Sequence, residues 1–146
     1  MGGLASAGYS GKPLAAKLGL KDGMNAAFVA LPDELDALAS SASFASVDRL
    51  PDWAGVRGAE RRYDAVHAFT RRHAEIDAHL VDMQSAILRD GMIWVSWPKK
   101  ASKTATDVTE DVVRAEALKL DLVDVKVAAI DATWSGLKLV IRKERR

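Results

Sequence analysis

The stretch richest in residues able to do chemistry is Lys99-Lys100-Ala101-Ser102-Lys103-Thr104-Ala105-Thr106, where three ammonium groups and three hydroxyls crowd into eight positions. Such a set suits an anion, because the lysines bring charge and the hydroxyls bring donors for phosphate or carboxylate oxygens. The loop runs into Asp107-Val108-Thr109-Glu110, which has the form of a capping box opening a helix. The unpaired N–H groups of a helix amino terminus would add partial positive charge beside it. Lys99, Lys100, Ser102, Lys103 and Thr104 are therefore the candidate ligand-binding residues, with Ser102 and Thr104 as hydrogen-bond donors. Trp97, Pro98, Trp134 and Ser135 are the candidate lining, since an aromatic ring at a strand end can stack on a ligand. Asp107, Glu110 and Asp111 count against this reading, because they can neutralise the lysines and the helix dipole themselves. The plainer alternative is a solvated loop.

Other constellations carry less. His73 and His79 are six apart, about 240° around a helix, and cannot close on one metal ion, so no metal site is expected. None of Ser10, Ser96, Ser102 and Ser135 sits in a Gly-x-Ser-x-Gly elbow. The absence of cysteine removes disulfides, thiolate ligands and thiol nucleophiles. After the first apolar run the chain reads Ala30-Leu31-Pro32-Asp33-Glu34-Leu35, with no Gly-x-Gly, and Pro32 deletes a backbone donor. Asp48, the acidic residue that could hold a ribose, has no glycine loop to work with. On this ground S-adenosylmethionine and NAD are both disfavoured as cofactors. Arg57, Arg61 and Arg62, with Arg71 and Arg72, form a second basic cluster. Yet 21 basic against 20 acidic residues leave a charge of +1, so nucleic acid is not an expected partner.

The elements that must position these residues follow from hydrophobic periodicity. At 146 residues, 49% apolar and 28% charged, the chain reads as a flexible start over 1–8 and a single domain over 9–146. Pro13 and Gly19 frame a short helix. Asn25 to Leu31 is a buried strand, and Asp33 is placed to cap a helix through Ser40 whose Leu35 and Leu38 face the sheet. Ala45 to Leu50 is a short strand, and Pro51 to Arg62 is irregular, with Trp53 and Val56 over the core. Tyr63 to Phe69 is a strand. Arg71 to Arg89 is the longest helix, striped by Ile76, Leu80, Met83 and Ile87 and stopped by a left-handed Gly91. Met92 to Trp97 is a strand inside the sheet, with Trp94 and Trp97 on opposite faces. A further helix runs from the capping box to about Leu120. Val123 to Ile130 and Leu137 to Arg142 are separated by six residues, too few for a crossover, so they pair antiparallel.

Strand–helix alternation of this kind predicts an α/β fold: a Rossmann-like three-layer domain with a mostly parallel sheet and a C-terminal antiparallel hairpin strand. Ligands of such sheets dock at the carboxyl ends of the strands, where Pro32-Asp33, Thr70-Arg71-Arg72, the Pro98–Thr106 loop and the Asp131–Gly136 turn should gather. Over roughly residues 24–142 the succession resembles that of Rossmann-like methyltransferases, whose last strand is antiparallel to the rest. Gly8-Tyr9-Ser10-Gly11-Lys12-Pro13-Leu14, Gly91-Met92-Ile93-Trp94-Val95-Ser96-Trp97-Pro98-Lys99-Lys100 and Thr133-Trp134-Ser135-Gly136-Leu137 also look like the recurring motifs of a family of small bacterial proteins grouped as a domain of unknown function. That resemblance implies a bacterial protein and no established reaction.

The amino terminus lacks a secretory pattern, and no apolar run approaches the roughly 20 residues of a membrane span, so a cytoplasmic protein without membrane contact is expected. The leading functional expectation is a non-catalytic binding or interaction module on a methyltransferase-like scaffold. Its ligand would be a small anion or phosphorylated molecule; a separate reading is a structural subunit with no ligand that sets Trp53 or Trp134 against a protein partner or a second copy of the chain. The alternative is an enzyme of the methyltransferase-like class with a degenerate cofactor site.

Overall fold

The apolar runs become strands of one six-stranded sheet in a computed structural model, which describes residues 13–146. The strands are β1 (Asn25–Val29), β2 (Ser46–Leu50), β3 (Tyr63–Phe69), β4 (Ile87–Pro98), β5 (Leu122–Ala129) and β6 (Trp134–Ile141), in the order β2-β1-β3-β4-β6-β5. β1 pairs parallel with β2 and β3, and β3 pairs parallel with β4. β6 runs antiparallel to both β4 and β5. The expected α/β fold, a mostly parallel sheet closed by an antiparallel hairpin, is the one observed. The flexible start over 1–8, and most of the motif Gly8 to Leu14, lie outside the described residues.

Period-two alternation divides the core into two layers. On one face, Ile76, Leu80 and Met83 of α2 (His73–Ala86) and Val113 and Ala117 of α3 (Glu110–Leu118) pack on Val66, Ile93, Val95 and Trp97. On the other face lie Phe28, Phe69, Trp94 and Trp134. They are covered by Leu18 and Leu20 after the short α1 (Leu14–Lys17), and by Leu35 and Leu38 of a 3-10 helix, Asp33–Ser40. Each large apolar side chain removed from water contributes about 1.5–3 kcal/mol. Trp94 and Trp97 face opposite layers, as their spacing demands. Trp53, fully buried in a 3-10 turn (Trp53–Val56), donates its indole N–H to Phe69 O at 2.8 Å, so no polar group is stranded beneath α2.

Four local expectations are corrected. The long helix ends at Ala86 rather than Arg89, and β4 begins at Ile87. Gly91 does not cap that helix. Tyr63 pairs with Ile87 and Ala65 with Met92, so β4 carries an excursion over Leu88–Gly91. There a Cβ on Gly91 would stand 3.0 Å from both Asp64 O and Leu88 O, a close approach of backbone that favours glycine, since a side chain would have to push those carbonyls back by a few tenths of an ångström. Asp107 does not cap α3: Thr109 does, accepting from Val112 N at 3.2 Å. Asp33 likewise makes no capping bond, and its segment is 3-10 rather than α.

Candidate functional site

The basic loop is built mainly to hold itself in place. Lys99 N donates to Thr133 O at 2.7 Å, which ties the loop to the β5–β6 turn. Ser102 Oγ donates to Lys99 O at 2.7 Å and accepts from Thr104 N at 3.2 Å, and Lys103 takes a left-handed conformation at φ 60°. Thr106 Oγ1 donates to Arg71 O at 2.7 Å, while Asp107 Oδ1 accepts from His73 N at 2.7 Å. The hydroxyls of Ser102 and Thr106 are thus spent on backbone. The side chains of Lys100 and Lys103 are exposed, and Lys99 is half-buried. Trp97 is buried beneath α2 and α3, whereas Trp134 lies on the opposite face, so the structure does not bring those two rings together. Pro98 is buried and pairs with Trp134, and Ser135 is half-buried and pairs with Trp97.

A cleft of about 640 Å³ opens elsewhere on the carboxyl edge of the sheet, lined by Ala30 to Glu34 after β1, by Phe69 to Arg72 after β3, and by Glu75 and Trp134. The chain leaves β1 toward β2 on one side and returns through β3 on the other, so the cleft lies at the point where strand order reverses. Two of the segments expected at this edge, Pro32-Asp33 and Thr70-Arg71-Arg72, therefore meet here. A second cleft of about 420 Å³ shares Ala30 and Leu31 and continues over Arg49, Leu50 and Pro51 at the end of β2. Asp48 does not line either one; it accepts from the Tyr63 hydroxyl at 2.6 Å.

The inner wall is a network around Thr70, which is almost fully buried. Its hydroxyl donates to Glu75 Oε1 at 2.5 Å and accepts from Arg72 N at 3.0 Å, while Arg72 reaches Glu75 Oε2 at 3.3 Å. Opposite, the Trp134 indole N–H lies 3.4 Å from Glu34 Oε2, and its ring meets Phe69 edge-to-face at 5.3 Å. Phe69 is in turn stacked on His67 at 4.3 Å, whose Nε2 is 2.8 Å from Ser96 Oγ. Burial pushes the His67 imidazole down to about 3, so it supports the wall as a neutral ring. Where β1 ends, Ala30 adopts φ 55° with its N–H on Leu50 O at 2.8 Å. That left-handed turn costs a residue bearing a Cβ about 1–2 kcal/mol. Sequence reasoning missed Ala30, Glu34 and Glu75, since neither a left-handed alanine nor a five-residue Thr–Glu spacing is a recognised signal.

The sheet order, the antiparallel terminal strand and a cleft at the switch point define a Rossmann-like fold of the methyltransferase type. Solved structures that resemble it bear this out. Magnesium protoporphyrin IX methyltransferase from Synechocystis, with bound SAM (S-adenosylmethionine), aligns with TM-score 0.58 and 13% identity over 88% of this chain and 74% of that one. A TehB-like SAM-dependent methyltransferase from Corynebacterium glutamicum aligns with TM-score 0.58 and 8% identity over 83% and 82%. A SAM-dependent O-methyltransferase from Thermotoga maritima gives 0.61 and 8% over 89% and 64%. No protein-family model and no curated protein matches the sequence, so the resemblance to a domain of unknown function rests on its motifs alone.

The disfavouring of S-adenosylmethionine is corrected by these neighbours, which carry that cofactor or depend on it on the same scaffold. A glycine signature reports a turn geometry, and at the end of β1 Ala30 takes a left-handed conformation without one. Among the described residues no helix is long and apolar enough to cross a membrane.

Proposed function

We propose that this chain is a methyltransferase-type domain that takes S-adenosylmethionine in the cleft between the ends of β1 and β3. The observation that carries the reading is the left-handed turn at Ala30 in the wall of a switch-point cleft, strain of a kind that persists where a ligand site requires it. The residues present fit the group. A volume of about 640 Å³ lies within the range of cofactor pockets. Pro32 and the occupied N–H of Ala30 leave few backbone donors for a pyrophosphate, but this cofactor carries no phosphate and loses little by their absence.

Bound there, the cofactor would supply an electrophilic methyl group on its sulfonium. The chain supplies the binding and the orientation. Asp33 and Glu34 at the mouth suit ribose hydroxyls or an ammonium group, and Arg71 and Arg72 suit a carboxylate. Phe69 and Trp134 offer an aromatic wall to a base, and the Thr70–Glu75 bond fixes one carboxylate on the inner side.

The test is calorimetry and thermal unfolding with S-adenosylmethionine and S-adenosylhomocysteine. Saturable binding is expected, adding about 2.7 kcal/mol of stability at ~100 times the dissociation constant. Glu34→Gln and Arg71→Ala, both at exposed positions, should weaken it without altering the unliganded midpoint. No heat and no midpoint shift at millimolar cofactor would remove the proposal.

A further inference from the structure

The side chains behind the wall of the β1–β3 cleft carry more polarity than packing needs. Trp134 meets Phe69 edge-to-face at 5.3 Å, and Phe69 lies on His67 with centroids 4.3 Å and planes 15° apart. His67 Nε2 is 2.8 Å from Ser96 Oγ, and the Trp94 ring stands 6.3 Å from the imidazole. His67 and Ser96 are 1% and 0% exposed, so each is the other's substitute for water. Two apolar side chains would fill that space without the cost of desolvating polar groups. What the bond adds is orientation. The terminal torsion of a histidine is broad, and one hydroxyl partner narrows it to a single plane. The hydroxyl keeps its place because its cross-strand neighbour, Gly136 of β6, has no side chain. A Cβ there would stand 2.8 Å from Ser96 Oγ and 3.1 Å from the Trp94 ring. At the cleft end of this column, the Trp134 indole N–H lies 3.4 Å from Glu34 Oε2. Glu34 is exposed, and among the described residues that indole is its one hydrogen-bond partner.

We infer that His67 and Ser96, with Gly136 leaving room beside them, are positioning residues of the cleft. Neither lines it, so both act through other side chains. They fix the plane of Phe69, Phe69 fixes the Trp134 ring, and Trp134 holds the Glu34 carboxylate toward the ligand. That this carboxylate receives a ribose hydroxyl or an ammonium group rests on the methyltransferase-type reading; the order of the rings does not.

The test is Ser96→Ala, read first without any ligand. Acrylamide quenching of tryptophan emission, measured well below the unfolding midpoint, reports how well Trp134 is covered once each chain is compared with its Trp134→Phe counterpart. Native Trp134 is 6% exposed and should quench weakly; in Ser96→Ala its quenching constant should rise severalfold. A hydroxyl with only a structural role would lower the urea midpoint and leave the quenching unchanged, which would overturn the inference. Gly136→Ala reaches the same bond from β6, should act alike, and keeps the test decisive if Ser96→Ala folds poorly. Combined with Ser96→Ala it should add no further quenching, because the Oγ on which its Cβ presses is gone. Calorimetry with S-adenosylhomocysteine then reads the ligand. Its affinity should fall about tenfold in Ser96→Ala, and Glu34→Gln should cost much less in that background than in the native chain. Native binding that Ser96→Ala leaves intact would overturn the inference. No binding by the native chain would instead remove the cofactor reading and leave the quenching of Trp134 to decide this one.

Discussion

Acidification should weaken this fold through one imidazole. His67 is 1% exposed, bonded at Nε2 to Ser96 Oγ and stacked on Phe69, and its Nδ1 has no hydrogen-bond partner among the described residues. Burial lowers its pKa from 6.5 to about 3, so the unfolded chain takes up the proton first as pH falls. Its contribution is therefore intact above pH 6.5 and is lost progressively toward pH 3. The slope approaches about 1.4 kcal/mol per pH unit. Integrated from pH 6.5 to about pH 5, the loss is about 1.7 kcal/mol, a large part of the ~5–15 kcal/mol that holds a domain together. The comparison is with His67→Gln, whose amide can still bond Ser96 but does not titrate. Urea unfolding across that range, followed by the fluorescence of the buried Trp53 and Trp94, gives the difference in stability between the two chains. Carboxylates common to both cancel in the difference. A difference that stays flat with pH would mean that the ring is protonated in the fold or reached by water, and would refute the reasoning.

Two further outcomes test the architecture. Gly91→Ala should cost about 1–3 kcal/mol, seen as a lower urea midpoint, because its Cβ would press on the carbonyls of Asp64 and Leu88 at 3.0 Å. Thr109→Ala should cost about 1 kcal/mol in helix and protein stability by removing the cap of α3, whereas Asp107→Ala should leave that cap intact and loosen the start of α2.

What the sequence determined is whatever periodicity and short spacing determine. Continuous apolar runs at Asn25–Val29 and Tyr63–Phe69 predict strands buried on both faces, and the short gap between the last two strands, six residues as read from the sequence and four as observed, forces an antiparallel hairpin. The three-residue step from Trp94 to Trp97 puts the rings in different layers without reference to anything distant. Even the gathering of Pro32-Asp33 with Thr70-Arg71-Arg72 was legible once a parallel sheet was assumed.

Tertiary structure alone decided which strands are neighbours and in what register, because those contacts join segments whose local patterns are mutually indifferent. Gly91 reads as a helix stop until β3 is beside it; only then do two carbonyls explain the missing side chain. Trp97 and Trp134 share an edge in sequence reasoning and are parted by the sheet itself. Lys138 faces Lys126 only because the pairing shifts between Asp124 and Lys126, and a displacement of one residue would have turned the two side chains to opposite faces.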